Sequence, residues 1–305
     1  MNIFTEIFST SILFFCILVT AAIAALFSEK VGIVNIAVNG NMIFSAAFFG
    51  LAAQLFNTNS PLIQIVLYFI AICFGILFSI LQNLLVIKLK ADQIVAGIAM
   101  NLLGVGIAVI LLQIAGTSNK FNFLIPELAL GEDFQNLISL KLFLVLIVIV
   151  IAWFFLNKSR WGLRFKSIGE NPNAAAVVGI NVNSYKWFGT LISGALSGLA
   201  GAIFMNYVGT NFAANVKGLG FLGLAILIIG QWRIILIVIA TLLFSFLYGS
   251  GITLSTGVGE LKYLENYSSF FIIMPYLITI IVLAFSSKNS NAPKALGLVY
   301  QKEKR

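Results

Sequence analysis

Amide side chains are the polar groups in this sequence best suited to hold an uncharged solute. Asn35, Asn39 and Asn41 lie close together around Gly40 in the otherwise apolar stretch VGIVNIAVNGNMIFSAAFFG at 31–50. Polar groups buried in a membrane must find partners inside the protein. The Asn-Gly pattern therefore predicts a broken helix whose unwound backbone lines a cavity. A polar connection at the membrane surface is the alternative interpretation.

A further amide, Asn101, lies in the middle of the apolar segment IAMNLLG. Gly97 precedes it by one helical turn, so both residues are expected on the same side of a helix. A neutral ligand is recognised by amide donors and acceptors and by aromatic faces rather than by charges. Asn101 and Gly97 are therefore candidates for a substrate path. The alternative role of Asn101 is a hydrogen bond between helices.

The segment LISGALSGLAGA at 191–202 repeats small residues at every fourth position. Small residues at this spacing let two membrane helices approach closely. We predict a helix-packing face, with substrate lining as the less favoured role. Its residues are Ser193, Gly194, Ser197, Gly198 and Gly201.

Several kinds of reactive site are excluded by what the sequence lacks. There is no His, which removes His metal ligands, His proton relays and Ser-His triads. Cys16 and Cys73 lie singly in apolar runs and are expected to be buried hydrophobic residues. The ATP-binding motif GxxxxGKS or GxxxxGKT is absent. We therefore expect no catalytic residue, no metal and no cofactor in this chain.

The elements that must position these residues are predicted to be membrane helices. The sequence has 305 residues, of which 60% are hydrophobic and 9% charged, and its mean hydropathy is +1.06. Soluble domains do not have this composition. We predict a single all-α transmembrane domain over 1–305 with about nine spans, in a range of about eight to ten. Apolar runs fall at roughly 9–27, 41–56, 61–86, 94–116, 138–156, 187–208, 219–230, 234–249 and 268–286.

Basic residues predict which side each connection faces, because Lys and Arg favour cytoplasmic loops. The connection at 157–186 and the C-terminal tail are rich in Lys and Arg, whereas 117–137 is mainly acidic. This places 157–186 and the C-terminus in the cytoplasm and the N-terminus outside. Gln-Trp-Arg at 231–233 is expected to form a cytoplasmic turn between two short crossings, with a re-entrant pair as the alternative. The net charge of +8 then reflects orientation and contact with anionic lipid, not nucleic-acid binding.

The basic connection contains a short capped helix in SIGENPNAAAVVGINV at 167–182. Asn171 can cap a helix that begins at Pro172, and Gly179 suits the left-handed residue that ends one. So short a helix needs something to pack against. We predict that it docks a cytoplasmic partner, with an ordinary interfacial loop helix as the alternative. The docking residues are Gly169, Glu170, Asn171, Pro172, Ala174, Ala175, Ala176 and Gly179.

Several segments occur in the order typical of a known family. GENPNAAAVVGINV at 169–182 resembles the signature of permease subunits of ABC importers for nucleosides and simple sugars, in the branched-chain amino acid and ribose permease superfamily. The segments at 31–50, 91–107 (ADQIVAGIAMNLLGVGI) and 191–202 are similar to further motifs of that family. The closing segment MPYLITIIVLAFSSKNSNAPKALGLVY also fits it.

This resemblance implies a permease that pairs with a second, related permease, a cytoplasmic ABC ATPase that binds the ATP, and an extracellular substrate-binding lipoprotein. It also implies that 169–180 docks the ATPase. Asn39 and Gln93 stand where the family often has Glu. A role for those acids in selecting substrate or orienting a gate does not carry over, although Gln93 remains a substrate-path candidate.

These features together indicate a translocation subunit in the cell membrane that moves a nucleoside or a simple sugar by ATP-driven alternating access. The alternative is an ion-coupled secondary transporter of a small polar solute. Ion coupling usually requires Asp, Glu or His inside the membrane. The sequence has no His, and its acids fall at span ends or in loops, which favours the ATP-driven transporter.

Overall fold

The computed structural model describes residues 3–57, 60–115, 120–123, 125, 127–129, 139–255, 268–286 and 291–300. In these residues the fold is all-α, as predicted. A π-helical turn at Leu84–Lys88 extends the helix at Ile63–Asn83, and a 3-10 turn at Gly209–Asn211 follows the helix at Val182–Val208. The helices are α1 (Ile3–Glu29), α2 (Val38–Phe56), α3 (Ile63–Asn83), α4 (Gln93–Ala115), α5 (Leu140–Lys158), α6 (Arg160–Glu170), α7 (Pro172–Val177), α8 (Val182–Val208), α9 (Leu219–Ile229), α10 (Ile234–Ser255) and α11 (Ser268–Ser286).

Seven helices in the described part of the chain are long and apolar enough to cross a membrane: α1, α2, α3 with its π turn, α4, α5, α8 and α10. Each predicted apolar run coincides with a helix, including the short α9 and the 19-residue α11. However, α9 has 11 residues, which is about 16 Å of helix. A hydrocarbon core is about 30 Å thick, so α9 is too short to cross it as a helix alone.

The centre of the bundle is α1. Its side chains from Leu13 to Leu26 are almost all buried, and α8, α9 and α10 pack around it. In contrast, α4 and α5 lie at the periphery, where large apolar side chains such as Val95 and Val150 are exposed. Exposed apolar faces of this kind are covered by lipid or by another membrane subunit.

Helix α2 packs against α3, α4 and α8, and glycines bring these helices close together. A Cβ atom on Gly198 of α8 would lie 2.5 Å from the carbonyl oxygen of Ala71 in α3. A Cβ atom on Gly201 would collide with the carbonyl oxygen of Met42 in α2. The small-residue segment at 191–202 therefore lies at the junction of α2, α3 and α8.

The predicted Gln-Trp-Arg turn separates α9 from α10. Gln231 and Trp232 both have positive φ, 49° and 55°, which is uncommon for residues other than glycine. The indole N–H of Trp232 donates to Oε2 of Glu29 at 2.6 Å. This hydrogen bond attaches the turn to the last residue of α1.

Candidate functional site

The chain leaves helical geometry between α1 and α2, at residues 30–37. We call these residues the unwound segment. Gly32 has a φ of +81°, and Asn35 lies in the part without regular structure. The next three candidate residues lie in the first turn of α2: Asn39, Gly40 and Asn41. The predicted break exists, but it ends earlier than the Asn-Gly pattern suggested, because helix resumes at Val38.

The first turn of α2, which directly follows the unwound segment, lies inside the bundle. Gly40 contacts Asn101, which is about 12 Å along α4 from its first residue. Asn41 donates to the carbonyl oxygen of Gly75, which is likewise about 12 Å from the last residue of α3. Both contacts therefore lie within the helix bundle, away from the ends of α3 and α4.

One face of α4 holds the unwound segment through side-chain amides. Asn101 Oδ1 accepts from the Gly40 backbone N–H at 2.6 Å, and Asn101 Nδ2 donates to the Ile36 carbonyl oxygen at 3.0 Å. Gln93 Oε1 accepts from the Val34 N–H at 2.7 Å. Gly97, between them on the same face, would bring a Cβ atom 3.0 Å from Cβ of Ile36. The structure thus brings all three candidates of α4 to the backbone groups that the break leaves without helical partners.

Asn35 is the centre of a second set of hydrogen bonds. Its Nδ2 donates to Ser193 Oγ at 2.8 Å, and its Oδ1 accepts from Gln82 Nε2 at 2.9 Å. The adjacent Asn83 accepts a hydrogen bond from the hydroxyl of Thr190. Sequence reasoning missed Gln82, Asn83 and Thr190. The available signal was the pair of consecutive amides, Gln82 and Asn83, inside an apolar run. Both side chains are fully or almost fully buried in the structure.

Asn39 joins α2 to the start of α9. Its Oδ1 accepts from the Gly220 backbone N–H at 3.3 Å, and a Cβ atom on Gly220 would lie 2.5 Å from Asn39 Cα. The first turns of two helices therefore meet inside the bundle, each with N–H groups that lack helical acceptors. Asn41, by contrast, faces α3, and its Oδ1 accepts from Ser45 at 3.2 Å. The named groups are neutral, and Asn39 and Asn41 each form a hydrogen bond with another helix of the chain.

Aromatic rings lie beside the polar break, between α2 and α3. Phe48 stacks on Phe74 with ring centroids 3.7 Å apart, and Phe44 stacks on Phe78 at 4.6 Å. Phe44 and Phe78 are buried, whereas Phe48 and Phe74 are partly exposed. The sequence, with 28 Phe residues, did not single these out. The available signal in the sequence was a spacing of four residues, between Phe44 and Phe48 and again between Phe74 and Phe78. This spacing puts the two Phe residues of each helix on the same helix face.

The predicted packing face has a mixed role in the structure. Gly194 lies against Gly75 and Ser79 of α3, and Gly198 and Gly201 make the close approaches described above. Ser197 donates to the carbonyl oxygen of Ser193 in its own helix at 2.6 Å. Ser193, however, bonds Asn35, so it belongs to the polar region as well.

The short capped helix forms as predicted. Asn171 Oδ1 accepts from the N–H groups of Asn173 and Ala174, at 3.1 Å and 3.0 Å. Pro172 is the first residue of α7, and Gly179 follows its end with a φ of +83°. Asn181 then caps α8 by accepting from the Ser184 N–H.

Not all of the predicted docking residues offer a surface to a partner. Two of them are buried: Gly169, near the end of α6, lies against Lys30 and Pro293, and Ala175 is on the side of α7 that packs against the rest of the chain. Pro172 and Ala176 are half-buried. Two apolar side chains missing from the predicted set are widely exposed, since Val177 is 73% and Val178 79% exposed. The remaining predicted residues are exposed as well: Glu170, Asn171, Ala174 and Gly179.

The C-terminal segment 291–300 ties this short helix region to the unwound segment. The Ala295 N–H donates to the Gly169 carbonyl oxygen at 2.8 Å. A Cβ atom on Gly32 would lie 3.1 Å from the Ala295 carbonyl oxygen, and one on Gly169 would lie 2.5 Å from the Lys30 carbonyl oxygen. These close approaches join three parts of the chain that are distant in sequence. The residues just before α7 are therefore in direct contact with the start of the unwound segment.

Comparison with known proteins adds an independent assignment. Residues 7–283 match the model of the family described as branched-chain amino acid transport system / permease component. The chain is 36% identical to the nucleoside ABC transporter permease protein NupC of Lactococcus lactis subsp. cremoris (strain MG1363), over 98% of this chain and 95% of NupC. It is 32% identical to the guanosine ABC transporter permease protein NupQ of Bacillus subtilis (strain 168), over 94% of each chain.

A weaker similarity links the chain to the nucleoside ABC transporter permease protein NupB of the same Lactococcus strain, with 24% identity over 92% of this chain and 83% of NupB. No solved structure is significantly similar. The family match and the alignments with NupC and NupQ span most of the sequence. This chain therefore belongs to the permease-component family of branched-chain amino acid transport systems, and it is a multi-pass membrane permease subunit of an ABC importer, not itself an enzyme.

Proposed function

We propose that the cargo of this permease is a nucleoside. The observation that carries the proposal is the neutral amide region around the unwound segment, which lies beside stacked Phe rings. A nucleoside offers hydroxyl and base groups to amides and a flat base to aromatic faces. The names of NupC and NupQ, which refer to nucleosides and guanosine, support the same class of cargo. A simple sugar would use the amides but would have less need of the rings.

We infer that α6, α7 and the C-terminal segment face the cytoplasm and that the N-terminus is outside. The cationic residues of 157–186 support this orientation. α8 begins on that side, and α9 ends beside Glu29, which lies on the same side as Gly169. Between the two, residues 209–218 would enter the bundle and α9 would complete the return crossing. This gives about nine crossings.

The exposed rim of α7, formed by Asn171, Ala174, Val177 and Val178, is the proposed docking surface for a separate ABC ATPase. That ATPase would bind the ATP, and this chain would bind no cofactor. A second permease, a paralogue, would complete the path, and an extracellular substrate-binding lipoprotein would deliver the cargo. NupB and NupC, two nucleoside ABC transporter permease proteins of one organism, support a paralogous pair. The exposed apolar faces of α4 and α5 would contact the paralogue or lipid.

The proposed mechanism is alternating access through the unwound segment. Motion of the docked ATPase would shift α7, and the contacts of Gly169 with Lys30 and Ala295 would pass the shift to residues 30–37. The amides of Gln93 and Asn101 would hold the segment against α4 in one state and let it move in the other. The positions of Asn35 and Asn39 relative to α3, α8 and α9 would change with it.

The test is uptake by vesicles that contain the permease pair and the ATPase, with the binding protein added outside. ATP-dependent uptake of labelled guanosine or uridine is expected, with competition by unlabelled nucleosides and not by glucose or ribose. Competition by sugars alone would overturn the nucleoside assignment. Uptake that persists without ATP and stops when ion gradients are dissipated would instead favour an ion-coupled transporter.

A further inference from the structure

A cleft opens between α5 and α10, at the end of the bundle where α1 terminates. Its volume is about 610 Å³, and its lining includes the cationic residues Lys30, Lys166 and Arg233. Asn157 and the aromatic residues Trp153 and Trp232 complete the wall at this end. No Asp or Glu is among the lining residues in the described parts of these helices. The cleft is therefore a cationic pocket between membrane helices.

The cleft continues into an apolar groove between the same helices. This groove has a volume of about 270 Å³. Trp153, Ile234 and Ile235 line both the cleft and the groove, so the two form one continuous depression. Every residue along the groove is apolar: Ile149, Val150, Trp153, Ile234, Ile235, Val238 and Ile239. Val150 and Ile239 have exposed fractions of 65% and 51%, so the groove is open to the membrane side.

The positive charge of the cleft is only partly compensated by carboxylates. Within the described residues, Lys30, Lys166 and Arg233 form no salt bridge with a carboxylate. Lys166 Nζ donates to the neutral Asn157 Oδ1 at 3.1 Å, and the carboxylate of Glu29 is occupied by Trp232. Burial first, and then the neighbouring Lys166, lower the pKa of Lys30 to about 8; Glu170 opposes this shift, Arg233 adds to it, and Glu29 opposes it less strongly. An added anion would relieve this repulsion.

We propose that the depression between α5 and α10 binds one anionic phospholipid of the surrounding membrane. The phosphate would contact Lys30, Lys166 and Arg233, and one acyl chain would lie along the groove. Basic pockets between transmembrane helices on the cytoplasmic side recognise anionic head groups in this way. A free phosphate would satisfy the cations but would leave the groove unused. A zwitterionic lipid would fill the groove, but its own cation would face the cluster.

The site lies beside the parts of the chain that we assign to coupling. Lys30 is the first residue of the unwound segment, and its carbonyl oxygen lies against Gly169. Arg233 directly precedes α10 and follows Trp232, which bonds the end of α1. A bound lipid would hold α5, α10 and the end of α1 together on one side of the permease. The proposal itself does not depend on the identity of the cargo.

The first test is native mass spectrometry of the full permease complex with added phosphatidylglycerol, phosphatidylcholine or inorganic phosphate. Retention of phosphatidylglycerol is expected, and Lys166→Gln with Arg233→Gln should reduce it about tenfold or more, since each basic residue contributes to the attraction. Lys158→Gln with Arg160→Gln is the matched control, because it removes the same charge from exposed positions outside the cleft. Equal retention by both double variants would overturn the proposal.

The second test leaves the three basic residues of the cleft unaltered. Phosphatidylglycerol with brominated acyl chains should quench Trp fluorescence more strongly than brominated phosphatidylcholine, and the excess should disappear in Trp153→Phe. Equal quenching by the two lipids would mean that the groove takes any lipid, contrary to the proposal. Inorganic phosphate that binds as tightly as phosphatidylglycerol, with the same dependence on Lys166 and Arg233, would identify a free-anion site and would equally overturn it.

Discussion

The backbone N–H of Ala295 donates a 2.8 Å hydrogen bond to the carbonyl oxygen of Gly169. This contact joins the C-terminal segment to the last turn of α6, directly before the capped helix α7. Pro293 lies 3.1 Å from the position of a Cβ atom on Gly169, so the space around this glycine is closed on two sides. The close fit indicates that the position of α7 is set by the C-terminal segment and by the end of α1.

Replacing Gly169 with Ala should disturb this fit. The added Cβ atom would lie 2.5 Å from the Lys30 carbonyl oxygen, and overpacking of this kind costs about 1–3 kcal/mol. We expect a severalfold loss of transport per ATP hydrolysed, with ATPase binding retained because the exposed rim of α7 is unchanged. The ratio of uptake to ATP hydrolysis in vesicles measures this. A normal ratio would show that α7 transmits its motion by another route.

The close packing of α2 against α4 gives a matched pair of glycine variants. A Cβ atom on Gly104 would collide with the Gly40 carbonyl oxygen, whereas one on Gly106 would meet nothing within 4 Å. Both residues lie in α4. We expect Gly104→Ala to lower the free energy of unfolding by about 1–3 kcal/mol and Gly106→Ala to leave it unchanged or raise it slightly. Thermal unfolding in one detergent compares them, and equal effects would contradict the observed helix approach.

Asn101 should act mainly through the backbone that it holds. Asn101→Leu would leave the Gly40 N–H and the Ile36 carbonyl oxygen without these partners, and an unsatisfied buried group such as the Gly40 N–H costs about 1–3 kcal/mol. We expect altered uptake kinetics without dissociation of the complex. Leu102→Ala, at a position 70% exposed on the same helix, is the control. Unchanged uptake and stability in Asn101→Leu would remove the amide from any role in the break.

The sequence predicted the helices well because their hydrophobic runs are long and nearly uninterrupted. It also placed the cap at Asn171 and the turn at 231–233, since both depend on local residue types. It gave α9 close to its observed bounds, 219–230 against Leu219–Ile229, but it could not show that Phe212, Ala214 and Val216 before it are buried although they are not helical. Burial of irregular backbone by neighbouring helices leaves no mark in hydropathy.

The partners of the polar residues were beyond the sequence for a related reason. Asn35 is predicted as a buried polar residue, but its partners, Gln82 and Ser193, are 47 and 158 residues away. Only the packing of α3 and α8 around the unwound segment brings them together. The inward direction of Ala175 was missed because a six-residue helix has too few residues to show a hydrophobic periodicity.

The docking surface can be tested at the two most exposed apolar residues of the region. Val177→Asp with Val178→Asp should reduce co-purification of the ATPase about tenfold, because apolar anchors at an interface commonly contribute more than 1 kcal/mol each. Val177→Thr with Val178→Thr keeps the shape without the charge and should retain most of the binding. Ala175→Arg would not test docking. Ala175 is only 3% exposed, so an Arg side chain at this position would disrupt α7 itself. Full co-purification of the Asp variant would place the ATPase elsewhere.

Lys30 should make stability depend on pH in the alkaline range. Its pKa is lowered, by burial first and then by Lys166, from 10.5 to about 8. Between these values the unfolded chain binds more protons than the folded one, so stability rises with pH from about 8 towards 10.5 and loses this contribution as pH falls through 8. Solvent screening limits the effect for a partly exposed group, and we expect a relative gain in Tm of about 2–4 °C.

The difference in Tm between the unaltered chain and Lys30→Gln, measured from pH 7 to pH 10, isolates this residue from other titrating groups. If the two proteins differ equally at every pH, Lys30 is not held in the crowded cationic surroundings described here. Phosphatidylglycerol should raise the pKa of Lys30 and move the pH dependence upwards, because an anion in the cleft favours the charged amine.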